Sequence, residues 1–393
     1  MFVGKKLTDI RLLHGYSRNE LAQILEVSEQ SVWQYENNYN GPKLEIANKL
    51  KNIFNVKTKY FYNEKEFKSN IEADLVAYRS KEINSTVTTK YEAVHLEFIE
   101  GLLNIFEKYI VYPENKLLSM REYSINYIIE NNESLSRNEL INHLAIFARE
   151  QLGLGKNNQK LLFSLEKNGA FVFEKSLGKN IDAYSTWSEK HNPIIMLGNF
   201  KKSAVRRNFD LAHELGHLLL HYKVNLSELN KQEYNQIENE AHTFASCLLL
   251  PEQEFLEDLG GIKKLSNPNE YVELKEKWSV SIAAMGHRAH SLNKMNYDQY
   301  RYFNASLNRL NYNRNEPLDK TIKIIKPGKV RSLLQFLFEK KLISLNQLTD
   351  YTYYNEELIA KILGLDVDFL NHYLENKQTY FDVSQISEKR NIK

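Results

Sequence analysis

Residues 206–223 read RRNFDLAHELGHLLLHYK. The stretch has no proline and is apolar along one side, which predicts a long helix. Along a helix, His213 and His217 stand four residues apart on one face, so their imidazoles can share one Zn²⁺. Glu214 lies about 100° further round the axis. From there its carboxylate can hold a water beside the metal without ligating it. Gly216 in the helix interior sacrifices about 1 kcal/mol of helix stability relative to alanine, so a neighbour is expected to press close to the backbone there.

This is the HExxH arrangement of zinc hydrolases, with Glu214 as general base. A tetrahedral zinc that keeps an open position needs a third protein ligand. The next helical stretch, IENEAHTFASCLLLP at 237–251, offers Glu238 and Glu240. They are two residues apart and face different sides of a helix. Geometry favours Glu238, with Glu240 as the alternative. His242, four residues after Glu238, can share its face and support it. His221 lies about 12 Å along a straight helix from His213, so it reads as a packing or supporting residue. Cys247, inside an apolar run, reads as core. Zn²⁺ is the expected metal, with Mn²⁺ as an alternative.

Between residues 160 and 200 the pattern changes from helical spacing to short β-branched or aromatic runs. AFVFEK, IDAYSTW and PIIMLG, bounded by Gly, Asn or Pro, predict the strands of a small sheet. Pro193–Gly198, just before the HELGH helix, is the expected edge for pairing with an extended substrate. Tyr184, Tyr222 and His242 are the candidate oxyanion donors. Residues 63–144 read as a helical linker segment, in which Ser136 and Glu139 form a second capping-box pattern. A boundary is placed near 316, at Asn315-Glu316-Pro317. Residues 317–393 read as a helical C-terminal region packing on the 145–316 domain or on a partner, with its last dozen residues loose.

At the other end of the chain, residues 17–37 read SRNELAQILEVSEQSVWQYEN. Ser17 with Glu20 forms a capping box. A helix, a short turn through Glu26-Val27-Ser28 and a second helix have helix-turn-helix shape, within a bundle of about five helices over 1–62. Ala22 is small where the helices would cross. The second helix begins with short polar residues, as a groove-reading helix requires. Gln30 can bond adenine bidentately and Gln34 projects from the same side. Arg18, Ser28, Glu29 and Ser31 complete the expected DNA-contact set. Residues 1–60 hold nine Lys/Arg against six Asp/Glu, a modest local excess. Glu29 and Glu36 weigh against tight nonspecific binding.

These motifs carry two resemblances. The 206–221 and 237–251 stretches, with the neighbouring strands and KEKWSVSIAAMGHRAHSL, resemble the ImmA/IrrE family of zinc metallopeptidases over roughly 145–315. That implies a minimal zincin that cleaves helix-turn-helix repressor proteins, with Glu238 as the third ligand. The chain departs from the family in carrying His242 where Asn is usual. Residues 5–62 resemble the XRE class of phage-repressor and Cro-type DNA-binding domains. That implies operator DNA as a partner, base contacts from 29, 30, 31 and 34, and a homodimer on two half-sites.

The expected fold class is therefore α+β and mostly helical. A five-helix N-terminal bundle precedes a minimal zincin-like domain with a small sheet, then a helical C-terminal region. The net charge of the 393 residues is +2, so any nucleic-acid surface must be a local patch. The one cysteine excludes an internal disulfide and a cysteine zinc finger. No run approaches 18 apolar residues, and the N terminus lacks a signal-peptide pattern. The expectation is a cytoplasmic protein without membrane contact. The expected function is a DNA-binding transcriptional regulator whose zinc peptidase cuts a repressor-type protein, or itself, in a stress or mobile-element response. The rival is a regulator whose zinc site is structural or sensory.

Overall fold

The computed structural model describes residues 1–64, 86–177, 182–199, 203–224 and 229–374; the loose tail expected from residue 382 lies outside them. The N-terminal bundle contains α1 (Gly4–Leu13), α2 (Arg18–Leu25), α3 (Glu29–Glu36) and α4 (Leu44–Phe54), and a 3-10 turn at Thr58–Tyr62 stands where a fifth helix was expected. The local signals act as read. Ser17 accepts from the Glu20 backbone N–H while the Glu20 side chain accepts from that of Ser17. Ser28 caps α3 by accepting from the Ser31 N–H. Leu7, Ile10, Leu21, Leu25 and Val32 are fully buried between the helices.

Three helices follow: α5 (Thr86–Phe106), α6 (Lys116–Asn131) and α7 (Arg137–Gln151). Ser136 and Glu139 form the second capping box at the start of α7. After α8 (Leu161–Lys167) come β1 (Phe171–Lys175), β2 (Ala183–Trp187) and β3 (Pro193–Gly198). Then run α9 (Ala204–Leu220), α10 (Lys231–Leu249), α11 (Glu252–Leu259), α12 (Val272–Trp278), α13 (Ile282–Ser291) and α14 (Tyr297–Arg309). The C-terminal region supplies α15 (Lys329–Glu339), α16 (Leu345–Thr352), α17 (Glu356–Leu363) and α18 (Val367–Asn371). Among the described residues no helix is long and apolar enough to cross a membrane.

The sheet organises everything else. Its order is β1-β3-β2, with β1 parallel and β2 antiparallel to β3. Successive strand residues face opposite ways, and both faces are covered. Val172, Ala183, Ile195 and Leu197 join the core formed with α6 to α14, which includes α9 and α10. Phe171, Phe173, Tyr184, Ile194 and Met196 join a second core with the N-terminal bundle, α5 and α15–α18.

The helices of the expected linker therefore divide between the two sides: α5 joins the second core, while α6 and α7 pack on α9 and α10. The C-terminal helices fill the space between the sheet and the N-terminal bundle. Val56 and Tyr354 form a β-bridge, and Lys57 pairs with Asp350 at 2.6 Å. Gly364, at φ +63°, caps α17 so close to β1 that a Cβ would meet the Glu174 carbonyl at 2.6 Å. Glu316 anchors the expected boundary. Its carboxylate accepts from the fully buried Lys275 ammonium at 2.8 Å and from the Ile282 and Ala283 N–H groups at the start of α13.

Candidate metal centre and nucleic-acid-binding face

The helix that carries HELGH packs against both β2 and α10. Gly216 makes the second contact possible: a Cβ there would lie 3.2–3.3 Å from the Phe244 side chain. That is the close neighbour the sequence implied. His213 is completely buried and His217 is 7 % exposed. Their Nε2 atoms are 2.9 Å apart. The Glu238 carboxylate reaches across from α10, with Oε2 3.5 Å from His213 Nε2 and Oε1 3.3 Å from His217 Nε2.

Two imidazole nitrogens and a carboxylate oxygen, all within 4.8 Å of one another, form the N,N,O donor set suited to zinc. Burial pushes the Glu238 carboxyl pKa up, but hydrogen bonds from His213 and His217 outweigh it and hold it well below the usual carboxylate range. Glu238 is thus an anion, as a ligand must be. The donor set fits a divalent metal. Glu240, the alternative, lies elsewhere: its carboxylate is held by Arg137 and His221. His242 donates from Nδ1 to the Glu238 carbonyl at 2.7 Å and stands edge-on to His213, with centroids 4.7 Å apart. It braces both ligands. Cys247 is buried, and desolvation raises its thiol pKa.

Glu214 is 1 % exposed and is not among the three converging groups. Its Oε2 accepts from Ser185 Oγ at 2.8 Å. Sequence reasoning missed Ser185. Strand alternation could have found it, because Ser185 shares a face with Ala183 and pairs with Ile195, both turned toward α9.

Two expectations about the cleft are overturned. Pro193–Gly198 is the central strand, paired on both sides, so its backbone has no edge to offer; β1 and β2 are the outer strands. Tyr184 points away from the metal centre. Its side chain belongs to the opposite core, and its hydroxyl donates to Glu92 Oε2 at 2.6 Å. Tyr222 stands just past α9 with its ring against the Arg121 guanidinium, 4.8 Å from the centroid.

In the N-terminal bundle, Ser28, Glu29 and Gln30 are exposed at the start of α3, and Ser31 and Gln34 are half-exposed along it. Gln34 Oε1 accepts from Asn40. Arg18 is tied into the bundle through one nitrogen, its Nε donating to Glu36 Oε2 at 2.5 Å, while the side chain stays 40% exposed. The other Glu36 oxygen accepts from Arg11 Nε at 2.5 Å. Glu36 is therefore buried and paired with two guanidinium groups, which offset the charge that the sequence weighed against nonspecific binding.

Comparison with known proteins finds both units. Residues 7–61 match the family model described as Helix-turn-helix. Residues 165–290 match the peptidase M78 model described as IrrE N-terminal-like domain. The HTH-type transcriptional regulator ImmR of Bacillus subtilis is 32% identical over 87 residues, which are 22% of this chain and 66% of that protein. A putative HTH-type transcriptional regulatory protein of Pyrococcus abyssi is 47% identical over 51 residues. One of Thermococcus kodakarensis is 45% identical over 51 residues. The last two alignments cover 13% of this chain and 16% of each relative. The chain thus spans less than two thirds of the length of these relatives.

Proposed function

We propose that this chain, in which an XRE-type helix-turn-helix domain is followed by a peptidase M78 domain of the IrrE/ImmA kind, is a DNA-binding transcriptional regulator with a zinc-dependent endopeptidase built into it. The observation that carries the reading is the convergence of His213, His217 and Glu238, with Glu214 next to His213 in the chain. Structural zinc sites close the coordination shell with four protein ligands, whereas catalytic ones keep a position open. Three converging side chains and an adjacent carboxylate favour the second kind.

His213, His217 and Glu238 would hold the metal. When bound there, zinc supplies a Lewis acid for the scissile carbonyl and makes water more acidic. Glu214 takes the proton of the attacking water and returns it to the leaving amine. Ser185 fixes the Glu214 carboxylate so that it need not reorganise during that transfer. His242 keeps the Glu238 backbone and the His213 ring in place.

The start of α3 is the proposed groove-reading surface, with Ser28, Glu29, Gln30, Ser31 and Gln34 toward the bases, and operator DNA as the ligand. A homodimer would set the half-site spacing. The proposed protein substrate is a helix-turn-helix repressor or a second copy of this chain. Selection of genomic fragments by the purified chain tests the first part. Incubation of the zinc-loaded chain and its Glu214→Gln variant with the host's repressors tests the second. The reading requires an enriched palindrome and a cleavage product that the variant does not form. A random fragment pool, or equal cleavage by both forms, contradicts it.

A further inference from the structure

The hydrogen-bonded chain that reaches the metal centre does not stop at His217. His217 Nδ1 lies 3.1 Å from His221 Nδ1. His221 Nε2 lies 3.1 Å from Glu240 Oε2. The same oxygen accepts from Arg137, at 2.6 Å from Nη2 and 3.0 Å from Nε. The four residues come from three elements: His217 on α9 and His221 at its C-terminal cap, Glu240 on α10, and Arg137 opening α7. The His221 and Glu240 side chains are only 5% and 11% exposed, so water competes weakly for these contacts.

One set of proton positions satisfies every contact once His217 offers Nε2 as a ligand. A ligating Nε2 carries no proton, so the proton sits on Nδ1 and is donated to His221 Nδ1. His221 must then carry its own proton on Nε2, where it meets the acceptor-only Glu240 carboxylate. Arg137 can only donate and holds the far end. We propose that Arg137, Glu240 and His221 form a positioning relay that locks His217 in its Nδ1–H tautomer and strengthens its hold on the metal. A carboxylate acting through a hydrogen-bonded ring raises ligand basicity and fixes ring orientation. This inference rests on reading His213, His217 and Glu238 as a metal site.

The test measures Zn²⁺ affinity of the full chain by chelator competition, with metal-free unfolding followed in parallel. His221→Phe removes the acceptor for His217 and should weaken zinc binding about 10–100-fold. Glu240→Gln keeps an oxygen but loses the charge and should weaken binding about tenfold, at unchanged stoichiometry. The double variant should bind no more weakly than His221→Phe alone, because Glu240 reaches the metal only through His221. Unchanged affinities, or losses that simply multiply, overturn the relay. If a variant fails to fold, imidazole-nitrogen NMR of the zinc-loaded wild-type chain decides the matter. The proton must be on Nδ1 of His217 and on Nε2 of His221; a His221 proton on Nδ1 overturns the relay. If the wild-type chain binds no zinc, or His213→Ala binds it equally well, the metal reading fails and the relay falls with it.

Discussion

Ser185 Oγ lies 2.8 Å from Glu214 Oε2 and 3.1 Å from the Glu214 backbone carbonyl. The single Ser185 hydroxyl proton thus stands between two acceptors of the proposed base, and the shorter contact is to its carboxylate. A buried hydrogen bond contributes about 0.5–1.5 kcal/mol, enough to bias the rotamer of Glu214. Ser185→Ala should lower kcat for peptide cleavage about tenfold, which is about 1.4 kcal/mol, while leaving KM and zinc content near wild type. Equal kcat in the variant would show that Ser185 only packs.

Metal content separates the two carboxylates on α10. His217→Ala should lose nearly all bound zinc by elemental analysis, because only His213 and Glu238 remain. Glu238→Ala should do the same. Glu240→Ala should still carry one zinc per chain at saturating metal, since its carboxylate faces Arg137 and His221. Full occupancy in Glu238→Ala, with loss in Glu240→Ala, would reverse the assignment.

On the cognate site, Gln30→Ala and Gln34→Ala should each lose about 1–3 kcal/mol of binding free energy. The pairing of Arg18 with Glu36 changes what its removal means. Arg18→Ala should weaken binding to all sequences and flatten the salt dependence. It should also destabilise the bundle by roughly 1–2 kcal/mol. That is less than a fully buried pair would lose, because Arg18 is 40% exposed and Arg11 still holds Glu36. Urea unfolding and fluorescence titration at several salt concentrations separate the two effects.

Acid should loosen the N-terminal bundle. Burial, reinforced by the Lys361 charge, lowers the His14 pKa to about 4, against a weaker opposing hydrogen bond to the Ile10 carbonyl. The unfolded chain takes up the proton first as pH falls below about 6.5. The stabilisation is therefore complete above that pH and is lost progressively down to about 4, by roughly 2–3 kcal/mol. His14→Phe retains an aromatic ring against Phe54, whose centroid is 5.0 Å away, and removes the titration. Urea midpoints between pH 7 and 4 should fall less steeply in the variant; parallel curves would contradict the assignment.

Much of this was legible because it is local. The i,i+4 histidines, the Ser17 and Ser136 capping boxes and the three apolar strand runs are each written within a few residues. Glycine at 216 announced a close neighbour, and Phe244 is that neighbour. What was hidden is who packs against whom. PIIMLG is apolar at nearly every position, as a strand covered on both faces tends to be, yet strand order depends on contacts far away in sequence. Tyr184 and Ser185 are adjacent, so a single strand register decides which one faces Glu214. Helices α6 and α7 read as a linker because amphipathic spacing reveals a buried face and says nothing of its partner.

The central claim joins the peptidase to the control of transcription, and Glu214→Gln tests it most directly. The substitution keeps the side-chain shape and the Ser185 hydrogen bond but removes the base. Host cells carrying wild type or the variant would be exposed to DNA damage and to oxidative stress, with the helix-turn-helix repressors followed by immunoblot. The account predicts that the variant protein binds zinc and operator DNA normally, loses cleavage by about 10²-fold or more, and leaves the repressor intact. Equal repressor loss in both strains would contradict it and leave a zinc-stabilised DNA-binding regulator in its place.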